Sequence, residues 1–330
     1  CLTITSGAAV AQGSDNRIAL IPGGPHPYFA PWEEAAKDAM TDFGIADVQF
    51  KVPSDFKLNL QTELMESLTS QGFNGFAIFP GDAVGVNSTI EELQFAEVPV
   101  ITLAGCAAEP TEAVVCFAPD IYVTTVDATN RLIESMGGKG RVVHLAGMLV
   151  DPNTKVRMKA VEDAVAAAGP DVTLLQTVGD TDNQEQGDQL INALLGAQSA
   201  NIDGLVATGY VQSAVAAKAL RNLGDKRIKL IGTNDDRVLL DAIRDGYATG
   251  AMVLNAYAEG YVGAYIVDML ASGCTFAETA PITQVSYSDT LIANPSVFVD
   301  ASNVDTYMAE SKQAARGVQA QIAEQMVCGE

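Results

Sequence analysis

The residues with chemical potential in this chain are few and scattered. It has two histidines, His26 and His144, which are too few for a histidine-based metal site. Five cysteines, Cys1, Cys106, Cys116, Cys274 and Cys328, fall in no C-x-x-C or other metal-ligand spacing. Asp82 and Asp182 are conceivable as an acid and a base, but nothing in their spacing requires that pairing. No G-x-G-x-x-G follows the first strand-like run, and neither G-x-x-x-x-G-K-[ST] nor G-x-S-x-G occurs. His144 sits inside the apolar run Val142 to Leu145 and reads as a core residue. The residues therefore argue against catalysis, and they imply neither a cofactor nor a metal.

The elements that must position any site are clearer. From Arg17 onward, short apolar runs alternate with amphipathic segments, the pattern of strands joined by helical crossovers in a parallel sheet. Arg17 to Pro22, Val48 to Val52, Gly75 to Pro80 and Val98 to Leu103 read as strands. Trp32 to Phe43, Leu58 to Gln71 and Ile90 to Ala96 read as helices, with Gly44 and Gly72 at two helix ends. About 120 residues later the series restarts. Gly140 to Leu145 answers Asn16 to Ile21, Asn201 to Ala207 answers Gln71 to Ile78, and Lys229 to Thr233 answers Val98 to Thr102. Two doubly wound α/β lobes of one design are expected. In such sheets ligands lie beyond the carboxyl ends of the strands. That singles out the loops Gly23 to Pro31, Gly81 to Gly85, Ala104 to Cys106, Met148 to Thr154, Gly179 to Asn183, Thr208 to Gln212 and Asn234 to Arg237.

Composition limits the rest. A length of 330 residues suits two domains, and 48% hydrophobic against 18% charged residues suits globular α/β structure. With 41 acidic and 19 basic residues, the net charge of -22 would repel phosphate backbones, so nucleic acid is not expected as a partner. No apolar run is long enough to span a membrane. The opening residues carry an address that can be read in two ways. Residues 1–15 look like the tail of a signal peptide, with Ala9-Val10-Ala11 fitting the small-x-small cleavage rule, or else Cys1 is the lipid-bearing first residue of a lipoprotein. Either places the protein outside the cytoplasm, where cysteines tend to pair. Cys106 with Cys116, across a short loop containing Glu109-Pro110, is the simplest bridge and leaves Cys274 to meet Cys328; four buried thiols are the other reading. The Ala- and Gln-rich tail from Asn303 to Met326 reads as a helix packed on the second lobe.

The order Ile18 to Ile21, Pro27-Tyr28-Phe29, Gly75 to Pro80, Val98 to Thr102 and Leu230 to Asp235 resembles the ribose-binding-protein-like, type I periplasmic sugar-binding proteins from Arg17 to about Gly273. The resemblance implies a three-crossover hinge, with lobes of 16–119 plus 254–285 and 120–253 plus 286–330. It also implies capture of a small neutral sugar or polyol between the lobes and delivery to the permease membrane subunits of an ABC importer. A chemoreceptor or sensor kinase is the alternative recipient of the bound signal, and a periplasmic enzyme is a more distant reading. A ligand-responsive repressor would need a basic helix-turn-helix ahead of the first strand, where only Cys1 to Asn16 stand.

Position by position, His26, Tyr28 and Phe29 match the family's first ligand loop, whose aromatics stack on a sugar ring, with Trp32 close by as a further contact or a core residue. Lys155 and Arg157 match its basic position in the second lobe, unless they are exposed helix-start charges. Asn234 falls where a ligand-binding Asp is common, next to Asp235, and Asn255 lies near the hinge amide. Two departures stand out: Ala104-Gly105 replaces an Asp-Arg pair, and Thr181-Asp182 replaces a common aromatic. Asp82, Asp182, Tyr210, Gln212, Asn234, Asp235 and Asn255 complete a mixed set of donors and acceptors suited to hydroxyls.

Overall fold

A computed structural model of the chain describes residues 14–149 and 151–329. The proposed cleavage site and Cys1 lie outside the described residues. The chain opens with β1 (Arg17–Ile21), α1 (Pro31–Phe43), β2 (Asp47–Phe50), α2 (Leu58–Ser70), β3 (Gly75–Ile78), α3 (Asn87–Phe95), β4 (Val100–Leu103) and β5 (Cys116–Ala118). It continues with α4 (Ile121–Ser135), β6 (Gly140–Leu145), α5 (Pro152–Ala167), β7 (Val172–Val178), α6 (Gln184–Gln198), β8 (Gly204–Ala207), α7 (Tyr210–Leu223), β9 (Lys229–Thr233), α8 (Arg237–Arg244) and β10 (Gly250–Val253). It closes with α9 (Ala256–Ala271), β11 (Thr275–Phe276), β12 (Thr283–Val285), β13 (Ser288–Ala293), β14 (Val297–Val299), α10 (Tyr307–Ala323) and β15 (Met326–Val327). Among the described residues no helix is long and apolar enough to cross a membrane.

Two compact units result. The first holds residues up to Ala118, Ala256–Ile292 and Ala315–Glu330; the second holds Pro119–Asn255 and Ala293–Ala314. The first unit's sheet runs β12-β13-β5-β4-β3-β1-β2, with β2, β1, β3, β4 and β5 parallel and β12-β13 an antiparallel hairpin. The second unit's sheet runs β14-β10-β9-β8-β6-β7, parallel except for β14. The parallel strands β1, β3, β4, β8 and β10 are buried almost end to end, because helices cover both sheet faces.

Helix boundaries follow local chemistry. Pro31 opens α1, Glu33 and Glu34 occupy its first turn, and Gly44 at φ 72° ends it in the left-handed conformation. In the second unit Asp120, Asp151, Asn183 and Asp236 cap α4, α5, α6 and α8 by accepting backbone N–H bonds. α9 is apolar nearly all round and buried from Ala256 to Val262, packed on α1 and on β1, β3 and β4. Gly260 permits that approach, since a Cβ there would stand 2.9 Å from the Ala35 Cβ.

The tail differs from expectation. Residues 286–292, which include most of β13, belong to the first unit and not to the second. α10 begins in the second unit, but from Ala315 onward it joins the first unit, where Ala315 and Ile322 belong to the same buried cluster as Trp32 and Tyr261. The apolar side of its second half, extended by Val318 and Met326, is what draws it there. β15 then pairs with β11, and Cys328 bonds Cys274, both in the first unit. The chain thus passes between units after Ala118, Asn255, Ile292 and Ala314, once more than a three-crossover hinge requires. Cys106 and Cys116 form the other disulfide, at the β4–β5 connection.

Candidate ligand-binding loops

In the first unit the loops of interest leave β1 and β3. Pro27–Phe29 forms a single helical turn, capped by His26, whose Nδ1 accepts the Tyr28 N–H at 3.1 Å. Tyr28 is half-buried, with its hydroxyl donating to Glu259 Oε1 at 2.6 Å. Phe29, only 4% exposed, turns the other way into the core, its ring centroid 5.0 Å from Trp32 and 5.2 Å from Phe79. Trp32 is fully buried and donates from Nε1 to Glu259 Oε2 at 3.4 Å. Of the expected aromatic clamp, then, Phe29 and Trp32 are core residues supporting the turn, because the apolar spacing that opens α1 carries both inward. His26 and Tyr28 remain partly exposed. Asp82 is exposed and caps its own loop, accepting from Val84 and Gly85 N–H groups.

A buried amide binds these loops together. Gln61, on α2, donates to the carbonyls of Pro22 at 3.2 Å and Phe79 at 2.7 Å and accepts the Gly81 N–H at 2.9 Å. Gly23 packs so closely on Gly81 that a Cβ would come within 2.6 Å of the Gly81 Cα, so glycine is required at the crossing.

The second unit repeats the device with another residue. Gln212, buried in the first turn of α7, accepts the N–H groups of Gly147 at 3.2 Å and Gly209 at 3.1 Å and donates to Asp182 Oδ1 at 3.1 Å. Three loops, after β6, β7 and β8, are thereby tied to one side chain. Lys155 is exposed at the end of the first turn of α5, and Arg157 is half-buried. Asn234, 6% exposed and at φ 68°, uses its Oδ1 to accept the Leu254 N–H at 3.3 Å, joining the ends of β9 and β10. Asn255, at φ 56°, donates to the Ser311 carbonyl at 3.0 Å. Both asparagines are thus engaged in holding backbone. Left-handed residues also follow β4 and β7, at Ala104 (φ 61°) and Asp180 (φ 58°), and such strain concentrates where loops are held for binding.

After β9, Asp235 accepts the Tyr307 hydroxyl at 3.1 Å. Burial raises the Asp235 carboxyl above the usual carboxylate range, the Tyr307 bond opposes that, and Asp236 adds to it. Tyr210 is pushed up to about 12, by burial first and then by Asp236 and Asp235. Tyr307 is likewise raised, by burial first and then by Asp235, so both phenols stay protonated. Tyr307 and Gln61 carry roles that the sequence reading did not assign, and Gln212, read there as a donor and acceptor for ligand hydroxyls, is engaged in tying loops together. Only Gln212 lay within a loop it had singled out.

His144 is a core residue, as expected. Its Nε2 lies 2.8 Å from Thr208 Oγ1, and burial, helped by the charge of Arg157, lowers its pKa to about 3. Between that value and about 6.5 the unfolded chain binds a proton that the folded chain refuses, so stability falls as pH drops through this window. Urea denaturation at pH 6 and pH 5 should show a loss on the order of 1 kcal/mol that His144→Gln removes. An equal slope in the variant would assign the loss to other groups.

Neither of two surface depressions among the described residues adjoins these loops. One of about 360 Å³, lined by Gln94, Pro99, Val114 and Phe276, and one of about 570 Å³, lined by Lys139, Asp203, Arg227 and Lys229, lie by residues at the amino ends of strands. Among the described residues no cluster of His, Cys, Asp and Glu could hold a metal ion.

Comparison with known proteins agrees with this architecture. A xylitol-binding protein of Mycolicibacterium smegmatis is 24% identical over 219 residues, 66% of this chain, and the match spans only 61% of that protein's length. Among solved structures, an ABC transporter solute-binding protein of Burkholderia graminis in complex with D-arabinose superposes with a TM-score of 0.77 at 20% identity, covering 90% of this chain and 99% of the other. A periplasmic ribose ABC transporter protein of Conexibacter woesei gives 0.76 at 18% identity over 94% and 99% of the two chains. The sequence profile of the periplasmic binding protein domain matches residues 18–275, which hold both repeats and every loop described above. Matched over most of its length and folded into the same pair of α/β units, the chain belongs to the periplasmic binding protein domain family.

Proposed function

We propose that the protein is the extracytoplasmic solute-binding component of an ABC importer, taking a small neutral sugar or polyol and passing it to the permease membrane subunits. In this reading the chain is exported to the periplasm or held at the membrane by lipid on Cys1. The observation that carries the ligand class is the make-up of the loops at the carboxyl ends of the strands. The first unit offers the Tyr28 ring and hydroxyl with the His26 imidazole, and the second offers Tyr210, which can donate and accept, with Asp235 and Asp182 as acceptors near Gln212. Hydroxyls do both, and an aromatic face suits the C–H side of a sugar. A phosphate or carboxylate ligand would call for a surplus of cations, whereas these loops and the start of α5 offer Lys155, Arg157 and Arg237 beside Asp82, Asp151, Asp180, Asp182, Asp235 and Asp236. The relatives bind xylitol and D-arabinose by name, which points the same way.

Calorimetry on the purified protein should find at least one of xylitol, D-arabinose, D-ribose or D-allose bound at least tenfold more tightly than its uronic-acid, phosphate or amino counterpart, a difference of about 1.4 kcal/mol or more. An acid or amine binding tenfold more tightly than every neutral analogue would overturn the ligand class.

A further inference from the structure

Glu259 is a fully buried acidic residue that nothing in the ligand reading uses. A carboxyl group is costly to bury unless its oxygens are satisfied. Here both are: Oε1 accepts the Tyr28 hydroxyl at 2.6 Å and Oε2 accepts the Trp32 indole N–H at 3.4 Å. The place of the carboxyl is set by helix packing and not by the loop, because the adjoining Gly260 brings α9 against α1, with a Cβ there only 3.2 Å from the Trp32 Cα. A group on a rigid helix thus fixes the far end of a side chain on a loop. The near end is fixed by the His26 cap and by Phe29, whose ring meets Tyr28 edge-on at 5.2 Å and 81°.

We propose that Glu259 is the positioning residue for Tyr28, holding its ring in the orientation that meets the ligand; this rests on the carbohydrate-binding reading above. The residue would act only through the phenol. In Glu259→Gln the amide must keep its oxygen towards Trp32, which can only donate, and so turns its NH₂ towards Tyr28 and reverses that bond. Tyr28→Phe removes the bond outright.

A double-mutant cycle separates this role from general packing. Affinity for xylitol and D-arabinose is measured by calorimetry, and amide hydrogen exchange of residues 26–30 is measured without ligand. Each single variant should bind about tenfold more weakly and exchange faster at Tyr28 and Phe29, while the double variant is no worse than Tyr28→Phe. Losses that add, or unchanged exchange in both single variants, would overturn the proposal. If the wild type binds neither probe, the carbohydrate reading is what suffers, and the exchange comparison still decides whether Glu259 holds Tyr28. If Glu259→Gln does not fold, unaltered exchange in Tyr28→Phe alone is enough to reject the role.

Discussion

Phe29→Ala is expected to destabilise the first unit by about 3–5 kcal/mol, the usual cost of emptying a buried phenylalanine site. The ring sits where the loop after β1 meets α1 and touches Trp32, Phe79 and Tyr28, none of which can collapse into the space without leaving its own contacts. Trp32 is the only tryptophan and belongs to the first unit, so its emission reports that unit's unfolding specifically. Urea denaturation followed by this emission should show the loss. A change below about 1 kcal/mol would mean that the site repacks and that the aromatic cluster is not the turn's support.

Tyr28→Ala should have the opposite balance. The side chain is half-buried and at the loop surface, so truncation gives up less packing, but it removes the ring that the binding reading assigns to the ligand. A loss of roughly thirtyfold in affinity, about 2 kcal/mol, is expected for a neutral sugar or polyol that binds the wild type. Calorimetry with both proteins under matched conditions measures it. Unchanged affinity would remove Tyr28 from the ligand set. The two neighbouring substitutions together thus assign the first loop, Phe29 by stability and Tyr28 by affinity.

The parallel core of each unit was legible because buried strands and amphipathic crossovers leave strong patterns. Gly140–Leu145 and Lys229–Thr233 are strands with the boundaries read from the sequence, and α1 and α2 differ from expectation by one residue at one end. Short elements were not legible. β5 has three residues, and β11 and β15 have two each, too few for any alternation to register. The tail's attachment was misplaced because a helix of moderate polarity does not announce which core it joins, and its switch at Ala315 depends on partners far away in sequence. In the candidate site the loops were found from strand ends, but residue roles were not. Phe29 and Tyr28 have similar rings and adjacent positions, and only backbone geometry sends one inward. Glu259 left a signal that could have been used: it is the one ionisable charge among the apolar and small residues from Ala256 to Val267, where a solvated acid would be out of place.

The Cys274–Cys328 bond also sets how the molecule carries tension. The bridge closes residues 274 to 328 into a covalent ring that includes β11 to β15, α10 and the passages after Ile292 and Ala314. A pull on the carboxyl terminus therefore bypasses that ring and enters the fold at Cys274, just beyond α9. A single cut within the ring would leave both pieces on one molecule. The passages after Ile292 and Ala314, unlike those after Ala118 and Asn255, are thus shielded from end-on force and survive a nick as joined strands, so long as the bridge is oxidised.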